Sequence, residues 1–191
     1  MINGIDVSAW QGKTLSVKGL DFMFVKATEG SGPNGYVNDK QHAQAMNGRK
    51  SGLAIGFYHF LHPGHIWAQA SYFVEQCDSV PGDMLVCDWE TVGGPHGHAA
   101  SCEEKDQFLK IVKELRPHHK VGLYCNTDFW LNHDTTSQAG DFLWIAAPGV
   151  SHPPIRHPWL FWQNGERGGI DTDVCAFHNR EALRSWCGYT D

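Results

Sequence analysis

The stretch MLVCDWE (84–90), with SCEEKDQFLKIVKELRP (101–117) and VGLY (121–124) after it, reads as a strand, a helix and a second strand. The outer runs are short and apolar, as buried strands are. Between them, Ser101 and Glu104 have the spacing of a capping box, and Phe108, Ile111, Val112 and Leu115 share one helical face. Pro117 lacks the amide hydrogen that would continue the helix. Strand, helix, strand in this order implies two parallel strands bridged by a crossover helix.

Further strand-like runs lie at 2–7, 22–26, 53–60, 142–147 and 160–163, with weaker helical segments at 39–50, 65–77 and 179–186. This alternation predicts an α/β chain whose parallel sheet is covered by helices. A closed eight-stranded barrel usually takes about 250 residues; with 191 residues, a barrel here has to drop helices. Helical signals thin out after residue 140 while strand-like runs continue, so the saving falls toward the C-terminal part. A doubly wound open sheet is the second reading, but no glycine-rich phosphate loop follows the first strand.

With 41% hydrophobic and 19% charged residues the chain is globular. Finding no repeat or linker, we expect a single domain over 1–191. No run approaches the ~18 apolar residues of a membrane span, and MINGIDVSAW (1–10) shows no signal peptide. Net charge is −6 with scattered Lys and Arg, which excludes the basic patch that a nucleic-acid surface needs. Six Cys show no metal-finger spacing and twelve His form no HExxH, so no metal or cofactor is expected. The even Cys count suits up to three disulfides or buried free thiols equally. Eight Trp and five Tyr suit core packing or sugar-stacking platforms. A monomer is expected.

Within 84–90, Asp88 and Glu90 are two residues apart, so on a strand they project to one face with Cα atoms roughly 6.5–7 Å apart. Like-charge repulsion raises one pKa and keeps that carboxyl protonated, as a general acid requires. Two solvated acids at a strand end are the plain alternative. Asp6 and Asp171 stand at or near other strand ends, as do Tyr58, Tyr124, Trp144 and Gln163. In an α/β barrel those ends converge on one rim. Four acids and several aromatics round one mouth describe a carbohydrate cleft better than a phosphate or metal site. Lys26 suits a structural ion pair, His59 a satisfied core histidine, and residues 128–131 core packing.

Several segments together resemble the glycoside hydrolase family 25 lysozymes, the muramidases of actinomycetes, fungi and phage endolysins. GIDVS (4–8) with QG (11–12) is similar to that family's opening motif, FVKATEG (24–30) to its second-strand signature and GFYHF (56–60) to its third. DWE (88–90) stands where the family has D-x-E; LWIA (143–146) and FWQ (161–163) resemble later strands, and IDTDV (170–174) the closing V-D-x-N segment. The resemblance implies a flattened, shortened TIM-like barrel of eight strands and about five helices. It implies Glu90 as catalytic acid within a cluster of Asp6, Asp88 and Asp171, lined by Tyr58, Tyr124, Trp144 and Gln163.

The activity implied is cleavage of the β-1,4 bond between N-acetylmuramic acid and N-acetylglucosamine in bacterial peptidoglycan, outside the cell or on release to the wall. Three departures stand out. Cys175 replaces the aromatic of the closing segment and leaves Asp173 a rival to Asp171, which Ile170 favours. Trp89 fills a position usually held by a smaller aliphatic residue, and the 93–100 loop is rich in Gly and His. The nucleophile stays open between the substrate's acetamido group and Asp88. The competing functions are a catalytically inactive wall-binding module and a metal-dependent deacetylase or phosphodiesterase.

Overall fold

A computed structural model of the chain describes residues 1–93 and 97–189. The strands are β1 (Ile2–Val7), β2 (Phe22–Glu29), β3 (Tyr36–Val37), β4 (Ala54–Phe60), β5 (Met84–Asp88), β6 (Lys120–Asn126), β7 (Phe142–Ala146), β8 (Phe161–Glu166) and β9 (Asp171–Cys175). The α-helices are α1 (Gln41–Lys50), α2 (Ile66–Gln76), α3 (Cys102–Leu115) and α4 (Arg180–Cys187), joined by a π-helix, Phe129–His133, and a single 3-10 turn, Gly32–Asn34. The strands follow the order β1-β9-β8-β7-β6-β5-β4-β2, and pairing of β1 with β2 closes the ring into an eight-stranded barrel. The two-residue β3 hangs outside it on β2.

The expected parallel sheet holds for most of the ring, with one correction. β9 runs antiparallel to both β8 and β1. The cause is local: Arg167 and Ile170 exchange backbone hydrogen bonds of 2.8 and 3.3 Å around Gly168 and Gly169, whose φ values are +63° and +79°. Positive φ at both central residues is what a two-residue type I′ hairpin requires. Asp171 therefore begins its strand, yet reaches the same rim as the C-terminal ends of the parallel strands.

Strand alternation splits the apolar residues into two cores. The inner one fills the barrel with Ile2, Phe22, Phe24, Met84, Val86, Phe142, Trp144, Phe161 and Cys175, and Leu183 and Cys187 of α4 join it. Glycines make room for the rings: a Cβ at Gly4 would lie 2.4 Å from Phe22, at Gly56 2.3 Å from Phe24, and at Gly122 2.5 Å from Phe142. Interlocking small and large residues inside a small barrel is the usual solution to its taper. The outer core lies between strands and helices and includes Met23, Val25, Phe57, Leu85, Phe73, Phe108 and Val112.

α3 forms as its sequence dictates. Ser101 Oγ accepts from the Glu104 amide at 3.1 Å and Glu104 accepts from the Ser101 amide at 2.7 Å, while Phe108, Ile111 and Val112 are buried. Among the described residues no α-helix occurs between β6 and β9, so the helices are saved in the C-terminal part as expected. The six cysteines are free thiols, which resolves the open question on pairing. No helix among the described residues is long and apolar enough to cross a membrane.

Candidate active site

All eight residues singled out in the sequence line one pocket of about 140 Å³ at the barrel mouth: Asp6, Tyr58, Asp88, Glu90, Tyr124, Trp144, Gln163 and Asp171. That is well below the roughly 300 Å³ at which pockets begin to enclose whole drug-sized ligands. A pocket of that volume has room for about one ring-sized group. Each lining residue comes from a barrel strand or the residues just past it, so the pocket's walls are as rigid as the sheet.

β5 ends at Asp88 and not at Glu90 as the sequence suggests. Strand pairing continues one residue further through the Trp89 amide, 2.9 Å from the Tyr124 carbonyl. Trp89 turns outward, where its indole N–H donates to the Ala100 carbonyl at 2.7 Å and its ring meets Phe129. Asp88 and Glu90 are thereby left on the pocket side, with their carboxyl groups hydrogen-bonded to each other. Asp88 is 5% exposed and its Oδ1 has no donor. Burial first, then the charge of Glu90, pushes Asp88 well above the usual carboxylate range. Burial also raises Glu90, less deeply set.

On the opposite wall, Gln163 Nε2 donates to Asp6 Oδ2 at 2.8 Å while its Oε1 accepts from Tyr124 Oη at 3.0 Å. The amide is thus fixed in one orientation by partners on both sides. Asp6 is raised to about 7, by burial first and partly offset by the Gln163 hydrogen bond. Asp171 is solvent-facing and raised by its partial burial and by Glu166. Trp144 is the pocket floor, 2% exposed, stacked on Phe24 at 4.2 Å with its N–H donated to Asp173 Oδ1 at 2.8 Å. Tyr58 and Tyr124 stay protonated phenols, their pKa driven up by burial and by the surrounding acids.

Two features go beyond the sequence reading, which names Asp173 only as a rival to Asp171. Asp173 lies buried below the pocket on the same face of β9 as Asp171, a placement that period-2 alternation signals. Lys26 pairs with Glu29 at 2.7 Å, and Glu29 with His62 at 2.9 Å, beside the pocket; nothing in the spacing announces His62. The pairing of Lys26 agrees with its structural reading, and its charge still lowers Asp88 and Glu90. His59 faces the outer core, hydrogen-bonded to Thr28 at 2.7 Å, and burial lowers it to about 3, so it is a neutral core histidine. Of residues 128–131, read as core packing, Phe129 and Trp130 are core but Asp128 and Leu131 are exposed, and Trp10 and Trp67 are 94% and 59% exposed on segments following β1 and β4. Within the Gly- and His-rich 93–100 loop, residues 94–96 lie outside the described residues.

Among the described residues, Cys102, Asp106 and Asp134 bring ligand-type atoms close enough together for a metal. The Lys105 ammonium already stands 2.8 Å from Asp134 Oδ1 and 2.8 Å from the Gln138 carbonyl, supplying the positive charge there.

Comparison with known proteins places this geometry. The chain is 33% identical to Lysozyme M1 of Streptomyces globisporus over 91% of its own length and 66% of that protein. It is 27% identical to an N,O-diacetylmuramidase of Arthroderma benhamiae over 91% of its length and 81% of that protein's. An autolytic lysozyme of Clostridium acetobutylicum is 28% identical, with 89% of this chain and 52% of that one covered. The chain thus spans between half and two thirds of two of these curated relatives. The fold matches a muramidase structure from Acremonium alcalophilum with a TM-score of 0.81 at 23% identity, covering 98% of this chain and 99% of that one. Residues 5–172, which include all eight pocket residues, match the family model "Glycosyl hydrolases family 25", and the chain belongs to that family.

Proposed function

We propose that this chain is a muramidase, hydrolysing the β-1,4 bond between N-acetylmuramic acid and N-acetylglucosamine in bacterial peptidoglycan. The observation that carries the reading is the Asp88–Glu90 pair, two hydrogen-bonded carboxyls facing one ring-sized pocket whose burial keeps a proton between them. Glu90, the less buried partner, is the general acid that protonates the leaving oxygen.

Asp88 orients the substrate's own 2-acetamido group, whose carbonyl oxygen attacks the anomeric carbon. An oxazolinium ion forms as the glycosidic C–O bond breaks, and water then opens it. Two features favour this role over direct attack by Asp88. The carboxyl groups of Asp88 and Glu90 are in hydrogen-bond contact, closer than the ~5–5.5 Å of an acid and a nucleophile in retaining glycosidases. Asp88 Oδ1 also lacks a donor, so the anion needed for attack is disfavoured until the acetamido N–H supplies one. That N–H makes Asp88 the better anion and moves the shared proton onto Glu90, so the acid is armed when the sugar is seated. Tyr58, Tyr124 and Gln163 hold the ring, and Asp171, with Asp6 in its ionised form, adds negative charge opposite the developing oxocarbenium ion.

The chain acts as a monomer on wall material outside the cell or after release. Purified cell walls should lose turbidity and gain reducing ends that are muramic acid. Glu90→Gln should abolish both while leaving circular dichroism unchanged. Binding to walls without new reducing ends would replace this reading with a wall-binding module.

A further inference from the structure

Asp173 sits one layer beneath the pocket. Across the β9–β1 seam it pairs with Gly4, whereas Asp171 pairs with Asp6 at the rim. It is 2% exposed, Oδ1 accepts the Trp144 indole N–H at 2.8 Å, and Oδ2 is buried with no donor. The polar group within reach of it is the Asp6 carboxyl, whose Oδ2 is already taken by Gln163 Nε2 at 2.8 Å. Two carboxyl groups that meet away from water are compatible only with a proton between them. The groups facing the pair are Asp171 on β9, Tyr58 on β4, Asp88 and Glu90 at the end of β5, Tyr124 on β6, Trp144 on β7 and Gln163 on β8, none of them a cation.

We infer that Asp173 is a positioning residue acting through Asp6: as a neutral carboxylic acid it donates one hydrogen bond to Asp6 and, with Gln163, holds that carboxyl as a fixed wall of the pocket. The Trp144 N–H occupies one Asp173 oxygen as acceptor, which turns the protonated oxygen toward Asp6. A belt results, running Tyr124–Gln163–Asp6–Asp173–Trp144 through β6, β8, β1, β9 and β7. It ties the pocket wall to the barrel interior, so the orientation of Asp6 is set by a residue that no substrate can touch. Burial raises both acids, in keeping with a proton held by the pair near neutral pH.

The role of Asp6 rests on the glycosidase reading, whereas the proton on Asp173 does not, and the tests separate the two. Carboxyl-carbon NMR of ¹³C-aspartate-labelled protein should show Asp173 at the neutral-acid shift from pH 4 to 7; an ionised Asp173 at pH 6 overturns the inference. Asp173→Asn keeps a neutral donor toward Asp6 and should retain kcat, with the acid limb of kcat/KM unmoved or shifted slightly to higher pH, because an amide N–H is a weaker donor than a carboxylic O–H and no charge is removed. Asp173→Leu removes the donor and should lower kcat about tenfold or more with little change in KM, the scale of one hydrogen bond to a charged group. Equal damage from Asn and Leu overturns the inference, as does a Leu variant with wild-type kcat and pH profile. Should the Leu variant fail to fold, the Asn variant and the resonances decide. A wild-type chain without wall hydrolysis would remove the functional reading, and the Asp173 resonance alone would then uphold or overturn the buried proton.

Discussion

Two carboxyl pairs, one facing the pocket and one running from its wall into the barrel, use one physical device for different ends. Asp88 and Glu90 are two residues apart at the end of β5, and Glu90 reaches toward solvent. Asp6 and Asp173 come from opposite ends of the chain, meet across an antiparallel seam, and are both buried. In each pair a proton is retained because burial penalises the anion, and in the first pair the Lys26 charge offsets this only in part. Only the first pair has a partner exposed enough to hand its proton on. The second is closed in by Trp144 and Gln163, so its proton can hold geometry and cannot be delivered.

The sharpest way to break this contrast is to neutralise one member of each pair. Asp88→Asn should lower kcat on the order of 10³-fold, within the range for loss of a general acid–base partner, and a fluorosugar should leave no adduct on wild-type Asp88 by mass spectrometry. A covalent glycosyl-Asp88 species would show that the first pair contains a nucleophile. Stability against pH tests the second pair. Asp6 is held at about 7 when folded against 3.8 otherwise, so between those values the native state binds more protons than the unfolded one. Its contribution is complete below about 4 and lost as pH rises through 7, costing on the order of 4 kcal/mol in all. The melting temperature should therefore fall from pH 5 to pH 8 by roughly 5–10 °C. Asp6→Asn should flatten that fall; an unchanged slope in calorimetry would remove Asp6 as its source.

Smaller effects sharpen the comparison further. Gly56→Ala crowds Phe24 beneath both pairs and should destabilise by about 1–3 kcal/mol in urea titration, without moving the pH limbs of activity. Lys26→Met removes the charge that lowers Asp88 and Glu90, so the alkaline limb should move to higher pH, the least of these changes. The Asp6–Asp173 pair should not respond.

Much of the first pair was legible and little of the second. Asp88 and Glu90 announce themselves because a period of two is written in consecutive residues, and the capping box and Pro117 bound α3 in the same local way. Direction along the chain was harder. Ile170 before Asp171 looks like a strand leading into an acid, but Gly168 and Gly169 reverse the chain just before it, and the acid starts β9. That glycine pair was a readable hairpin signal. Asp173 was legible as a second inward-facing residue, not as the partner of Asp6, because a contact between chain ends depends on barrel closure. The Glu29–His62 pairing likewise depends on where the segment after β4 settles, and no periodicity encodes it.

The seam between β9 and β1 also governs when the pocket can come into being. Asp6 is synthesised well before its neighbours Asp171 and Asp173, which lie far along the chain from it. β2 through β7 can pair in order as they are made, but the ring stays open until β9 arrives. Joining such distant segments carries the largest loop-closure cost in the fold, which makes closure a late event in folding. A nascent chain without β9 therefore has the Asp88–Glu90 pair but a gap between the Asp6 and Gln163 strands, so the pocket is completed only once β9 has been made.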